Sequence, residues 1–184
     1  SPTIQEPGQP PLSPPSCIEL LLYVVIPRDI SATKTQVQGP ASGATGAAAD
    51  TPHRAVLSKR GEKRHCYGGG IWGSGVDARE QAVAMFEQAQ ALLTSTGMSF
   101  ADVVRTWIYL PDMVRDYPGL NQGRRAFFEK YAVDPIPAST GIGALLPEQT
   151  QRLGLAFHAV SLQDGAHRSV MTPPTLNEAP EYGS

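Results

Sequence analysis

Arg105, Trp107 and Tyr109 alternate along the run DVVRTWIYL, a spacing that in an extended chain sends all three side chains to one face. A guanidinium between two aromatic rings suits a flat ring that bears carboxylates. The cation supplies charge-assisted hydrogen bonds, and the rings supply stacking and cation–π contact. The same three residues also suit an interface between subunits, with Arg105 in an ion pair and the rings buried against a partner. Asn121 and Arg124 lie three apart on a helix-like stretch, so they share a face that is either solvated or a second anion grip. Ser139 and Thr140 offer hydroxyls at the entrance to a strand, and Gly141 lets a ligand approach the backbone closely. No neighbouring base marks either hydroxyl as an activated nucleophile. His158 is the candidate general acid or base, because an imidazole titrates close to neutral pH. No carboxylate adjacent in sequence orients it, and a structural histidine is the competing reading.

Other patterns are excluded by chemistry. Gly68 to Gly73 formally fits Gly-x-Gly-x-x-Gly, but a dinucleotide fingerprint needs a helix to start inside the glycine turn. Here Asp77 is the first good N-cap, beyond Gly75, and its carboxylate would repel a phosphate. A glycine-rich strand end against which another backbone packs is the expectation. Gly39 to Gly46 lacks the Lys-Ser/Thr of a phosphate loop, and no Gly-x-Ser-x-Gly nucleophile elbow occurs. Cys17 and Cys66 form no Cys-x-x-Cys, and His65 beside Cys66 makes no metal pattern, so no metal and no cofactor are expected. Cys66 reads as a buried, inert thiol.

The 184 residues suffice for one ordinary domain with its own core. With 15 Lys+Arg against 17 Asp+Glu there is no basic excess for a nucleic-acid backbone. The longest apolar run, Leu20 to Ile26, has seven residues, far below the roughly 20 of a membrane-spanning helix. No nucleic-acid or membrane partner is therefore expected. No secretory signal is legible and cysteine usage suits a reducing compartment, which makes a cytoplasmic setting the expectation.

The elements that must position these residues follow from patterning. Six prolines within 1–16 read as a flexible leader. Residues 17–27, CIELLLYVVIP, read as an extra strand stopped by Pro27, and 28–52, rich in Ala, Gly, Thr and Ser, as a flexible loop. A domain over 53–162 follows, with a tail over 163–184. It opens with strands at 54–58 and 64–71 that Gly61 suggests are a hairpin. A helix capped by Asp77 and Glu80 presents Ala82, Met85, Phe86, Ala89 and Leu93 on one side and ends at Gly97. The strand 102–110 directs Val104, Ile108 and Leu110 to the core and Arg105, Trp107 and Tyr109 away from it. Pro118 opens a second helix with Leu120, Phe127, Phe128 and Tyr131 on one side. Strands at 139–145 and 153–162 close the domain. The order β-β-α-β-α-β-β defines an α+β sandwich, with two helices on one face of a mixed sheet. The other face needs a cover, so an oligomer is expected.

The runs RTWIYLPDM, YPGLNQGRRAFF and PASTGIG, in that order, resemble the Rid (YjgF-like) superfamily. Within it the chain is most similar to the first Rid-like domain of chorismatases, enzymes that act on chorismate, and the closing APEYGS resembles the segment joining their two domains. The resemblance implies a chorismate-mutase-like fold and a homotrimer with ligand clefts between subunits, or assembly with a second Rid-like chain or domain. In deaminating members, which hydrolyse enamines and imines, the PASTG position carries an arginine that grips the substrate carboxylate, and a glutamate on the last strand helps place water. Here those places hold Ser139 and His158. A serine cannot supply a guanidinium's bidentate bond.

The expected function is a chorismatase-like hydrolysis or elimination on a small carboxylate-bearing metabolite, in secondary metabolism. Arg105, Trp107, Tyr109, Asn121, Arg124, Ser139, Thr140 and Gly141 would bind the ligand, with His158 catalytic. The alternatives are an imine or enamine deaminase with a rearranged carboxylate grip, and a non-catalytic half of a tandem or two-chain enzyme.

Overall fold

In the computed structural model, which describes residues 33–38, 54–60, 63–147, 149–161 and position 169, one sheet of six strands carries two helices on a single face. The strands are β1 (Thr33–Gln38), β2 (Arg54–Arg60), β3 (Lys63–Ile71), β4 (Val103–Leu110), β5 (Ala138–Gly143) and β6 (Gly154–Ser161). The helices are α1 (Ala78–Ser95) and α2 (Met113–Tyr131). The sheet order is β1-β2-β3-β6-β4-β5. Only β4 and β5 pair in parallel; every other neighbour is antiparallel. The mixed α+β sandwich is thus as its patterning implies. β6, last in the domain, inserts between β3 and β4 and brings His158 to the middle of the sheet.

One strand arises where a loop is expected. Thr33–Gln38 pairs along its length with β2, from Thr33 opposite Lys59 to Gln38 opposite Arg54. Its composition hid it, because its one apolar residue is Val37, which packs against the core. An edge strand needs little hydrophobicity of its own, and a mostly polar run suffices once a neighbour supplies the ladder. β2 and β3 are antiparallel with Arg60 opposite Lys63, as a hairpin requires, while Gly61 itself lies outside the described residues. The leader 1–16, the apolar stretch 17–27 with Cys17, and nearly all of the tail 163–184 lie outside them too.

α1 begins where its cap dictates. Asp77 Oδ1 accepts from the Glu80 amide at 2.8 Å, and Glu80 Oε2 accepts from the Val76 amide at 2.9 Å. At the other end the Met98 amide reaches the Leu93 carbonyl and the Gly97 amide reaches Thr94, a Schellman closure with Met98 buried. α2 starts five residues before Pro118. Asp112 is its N-cap, its carboxylate accepting from the Arg115 amide at 2.9 Å. Pro118 therefore sits inside the helix. The carbonyl it leaves without a helical donor belongs to Val114, on the exposed first turn, where water can take the proline's place.

α1 and α2 approach closely because small residues face each other. A Cβ at Gly123 would lie 2.6 Å from Ala82 Cβ and 2.7 Å from the Arg79 carbonyl oxygen. Below this seam Phe86 stacks on Phe127 at 5.3 Å between centroids, and Phe100 meets Phe127 edge-on at 5.0 Å. These rings join Ile108, Leu110, Leu155 and Phe157 in one core between helices and sheet. Along β4 the inward residues are Val103, Thr106, Ile108 and Leu110. Val103, not Val104, enters the core, because an irregularity in the pairing with β6 between Val103 and Arg105 makes Val104 an extra residue and shifts the alternation.

Candidate functional site

The face of the sheet away from the helices is where the register collects chemistry. His158 of β6 lies opposite Tyr67 of β3 on one side and Arg105 of β4 on the other. Trp107 lies opposite Thr140 of β5 and Ala156 of β6, and Tyr109 one step further along. Arg105 is exposed, and its Nη2 donates to Thr140 Oγ1 at 2.9 Å while its guanidinium carbon stands 5.3 Å from the centre of the Trp107 ring. A hydroxyl and a ring thus hold the cation in place, with donors left over for an anion. Tyr109 is half-buried, which pushes its hydroxyl pKa up, so it remains a hydrogen-bond donor well above neutral pH.

His158 has a partner that no adjacent residue announces. His65, two residues before Tyr67 on β3, brings Nδ1 to 3.1 Å from His158 Nε2. The Tyr67 ring lies flat against the His158 ring, 4.2 Å between centroids and 6° between planes. Burial first, and then the charge that His65 can carry, push the His158 imidazole down to about 4. His158 is therefore neutral at physiological pH. The period-two alternation of β3 was the available signal for His65, since it places His65 and Tyr67 on one face. The register that sets β3 beside β6 is not local information.

The remaining candidates lie elsewhere. Ser139 and Gly141 pair with Thr106 and Ile108, so they belong to the helix side of β5, opposite to Thr140. Asn121 and Arg124 are on α2, where Arg124 Nη2 donates to Asn121 Oδ1 at 2.9 Å. Burial, with the charge of Arg125 added, lowers the Arg124 guanidinium from its usual value. The nine candidates therefore divide. Arg105, Trp107, Tyr109, Thr140 and His158 gather on the open face, whereas Asn121, Arg124, Ser139 and Gly141 are on the helix side.

The glycine run behaves as a packing device. β3 continues through Gly70 to Ile71, and a Cβ at Gly73 would lie 2.1 Å from the Gln81 carbonyl oxygen of α1. Close approach of two backbones, not phosphate binding, explains that glycine. Cys66 is fully buried and its thiol is pushed up to about 11 by burial, so it carries no thiolate at neutral pH. Among the described residues no group of three or more His, Cys, Asp or Glu side chains is placed to hold a metal ion, and no helix is long and apolar enough to cross a membrane.

A second polar cluster, which patterning alone missed, braces the end of the sheet. Gln81, buried in α1, donates through Nε2 to the carbonyls of Gly75 and Thr150 at 3.0 and 3.1 Å and accepts from the Arg152 amide at 2.9 Å. Asp116, 1% exposed, accepts from Arg115 Nε and Nη2 at 2.9 and 2.6 Å and from Arg152 Nη1 at 3.0 Å. Burial opposes ionisation of Asp116, but the two guanidinium groups outweigh it and hold the carboxyl below the usual range.

Comparison with known proteins agrees with this architecture. Residues 69–151 match the family model described as Endoribonuclease L-PSP. A member of the YjgF protein family from Neisseria meningitidis superposes with a TM-score of 0.51 at 25% identity, over 58% of this chain and 86% of that one. Yeast Mmf1 shares the fold with a TM-score of 0.51 at 20% identity, over 71% of this chain and all of its own (100%). A comparison with curated proteins finds no match. Residues 69–151 are thus similar to that family, and the arrangement of two helices on one mixed sheet is the fold of the YjgF family protein.

Proposed function

We propose that the open sheet face binds a small carboxylate-bearing metabolite and promotes its hydrolysis or elimination, in the manner of a chorismatase-like member of the family. The observation that carries this reading is Arg105, held between the Thr140 hydroxyl and the Trp107 ring, directly beside a neutral His158. A carboxylate would dock on the guanidinium and a planar ring would lie along Trp107 and Tyr109, within reach of His158 for proton transfer. The rings and the half-buried His158 on a face without helices support assembly of three copies through this surface. In such a trimer Asn121, Arg124, Ser139 and Gly141 would reach a cleft from a neighbouring subunit, which resolves their separation within one chain.

Calorimetric titration of the purified chain with chorismate, with products followed by chromatography, tests the proposal. Arg105→Ala is expected to weaken binding about 10- to 100-fold, the loss typical of a charge-assisted contact, with the sedimentation coefficient unchanged. Undiminished binding by that variant would overturn the assignment of Arg105. Ammonia release from 2-iminoacids would point to the deaminase reading instead.

A further inference from the structure

The contact between His65 Nδ1 and His158 Nε2, at 3.1 Å, constrains the protons of both rings. Two lone pairs at that distance repel, and so do two N–H groups, so one proton lies between the nitrogens. Two neutral arrangements satisfy this. In one, His158 Nε2–H donates to His65 Nδ1, and His158 Nδ1 presents a lone pair, the form of a base. In the other, His65 Nδ1–H donates to His158 Nε2, and His158 Nδ1 carries a proton, the form of an acid.

We infer that His65 and His158 form a two-histidine proton relay on the open face, in which His65 is the positioning residue that sets which form His158 presents. When His158 Nδ1 takes a proton from a bound molecule, the proton on Nε2 passes to His65 Nδ1. His158 is then neutral again and His65 is an imidazolium. The reverse transfer returns the proton through His158 Nδ1. At His158 one N–H bond forms and one breaks, at His65 one N–H bond forms, and the charge ends on His65 rather than on the ring in register with Arg105. The described charged or titratable side chains on this face are Lys63, His65, Tyr67, Arg105, Tyr109 and His158. No carboxylate is among them, so an imidazole plays the orienting part that an acid plays in many histidine sites. Stacking at 4.2 Å on Tyr67 and at 5.4 Å on His65 keeps the His158 ring from turning its nitrogens away.

The catalytic use of the relay rests on the function proposed above, but the shared proton does not, and the experiment separates them. Nitrogen-15 NMR of the ligand-free full chain at neutral pH, labelled at histidine, is expected to show a nitrogen–nitrogen coupling across the hydrogen bond. In His65→Phe, which keeps a ring in the stack, the coupling vanishes and His158 Nδ1 and Nε2 change their tautomer populations. Turnover in that variant is expected to fall at least 10-fold in kcat with KM within about twofold, as general acid–base assistance is lost. Absence of the coupling, or a His158 tautomer unchanged in His65→Phe, would overturn the relay whatever the ligand. Failure of carboxylates to bind, with the coupling intact, would instead overturn the binding site and leave the relay standing.

Discussion

Arg105 of β4 and His158 of β6 face each other across the ladder on the side of the sheet that the helices leave bare. This pairing sets an exposed cation beside an imidazole that stays neutral, and in the function proposed above the two would support each other. A neutral imidazole does not compete with Arg105 for an anion. Burial, and then the charge that His65 can carry, make a charge on His158 unfavourable.

Because His158 is held at about 4 in the folded chain, against 6.5 for an unperturbed imidazole, the unfolded chain binds its proton at higher pH than the native one does. The sign follows from linkage. This group's contribution to stability is greatest above 6.5, declines as pH falls toward 4, and changes no further below that. Urea midpoints measured from pH 7.5 to 4 at fixed protein concentration are expected to fall more steeply for the wild type than for His158→Phe. Parallel curves would show that His158 titrates normally.

Asp116 has the opposite linkage. Its carboxyl is held below the ordinary carboxylate range by Arg115 and Arg152, so its contribution is fully present above that range and is lost as pH falls through the lowered value. Asp116→Ala is expected to cost about 1–3 kcal/mol at pH 7, the scale of hydrogen bonds to a charged group. It should also increase amide exchange around Arg152, which Asp116 ties to α2. A change below about 0.5 kcal/mol, typical of surface sites, would show that the two ion pairs contribute nothing net.

The seam of α1 and α2 tolerates no added carbon at Gly123, since Ala82 Cβ and the Arg79 carbonyl already occupy the space. Gly123→Ala is expected to destabilise the chain by about 1–3 kcal/mol, the usual cost of overpacking, despite alanine's better helix propensity. Thermal denaturation would read this as a lowered midpoint. A raised midpoint would mean that the helices separate without penalty and that propensity governs the site.

Much of this molecule was legible along the chain. Asp77 and Asp112 each start a helix by local hydrogen bonding; the first was evident, and the second was obscured by Pro118, which resembles an N1 proline but lies a turn and a half inside. The alternation of Arg105, Trp107 and Tyr109 was evident too, because period-two patterning needs no partner strand. The same reasoning erred at Val104, since the irregularity that ejects it exists only in the pairing with β6. β1 escaped notice for a related reason, as an edge strand borrows its order from a neighbour and not from its own hydrophobicity.

Local composition and spacing therefore determined the two helices, most of the strands, the sandwich class, the family resemblance and the candidate cation at position 105. The tertiary structure alone decided that β6 lies between β3 and β4, that His65 meets His158, and that Thr140 joins Arg105 while Ser139 turns to the helices. Caps and alternation are written in contacts a few residues apart. The pairing of His65 with His158 spans 93 positions, and such contacts follow from sheet register, which the burial of one whole face sets for all strands together.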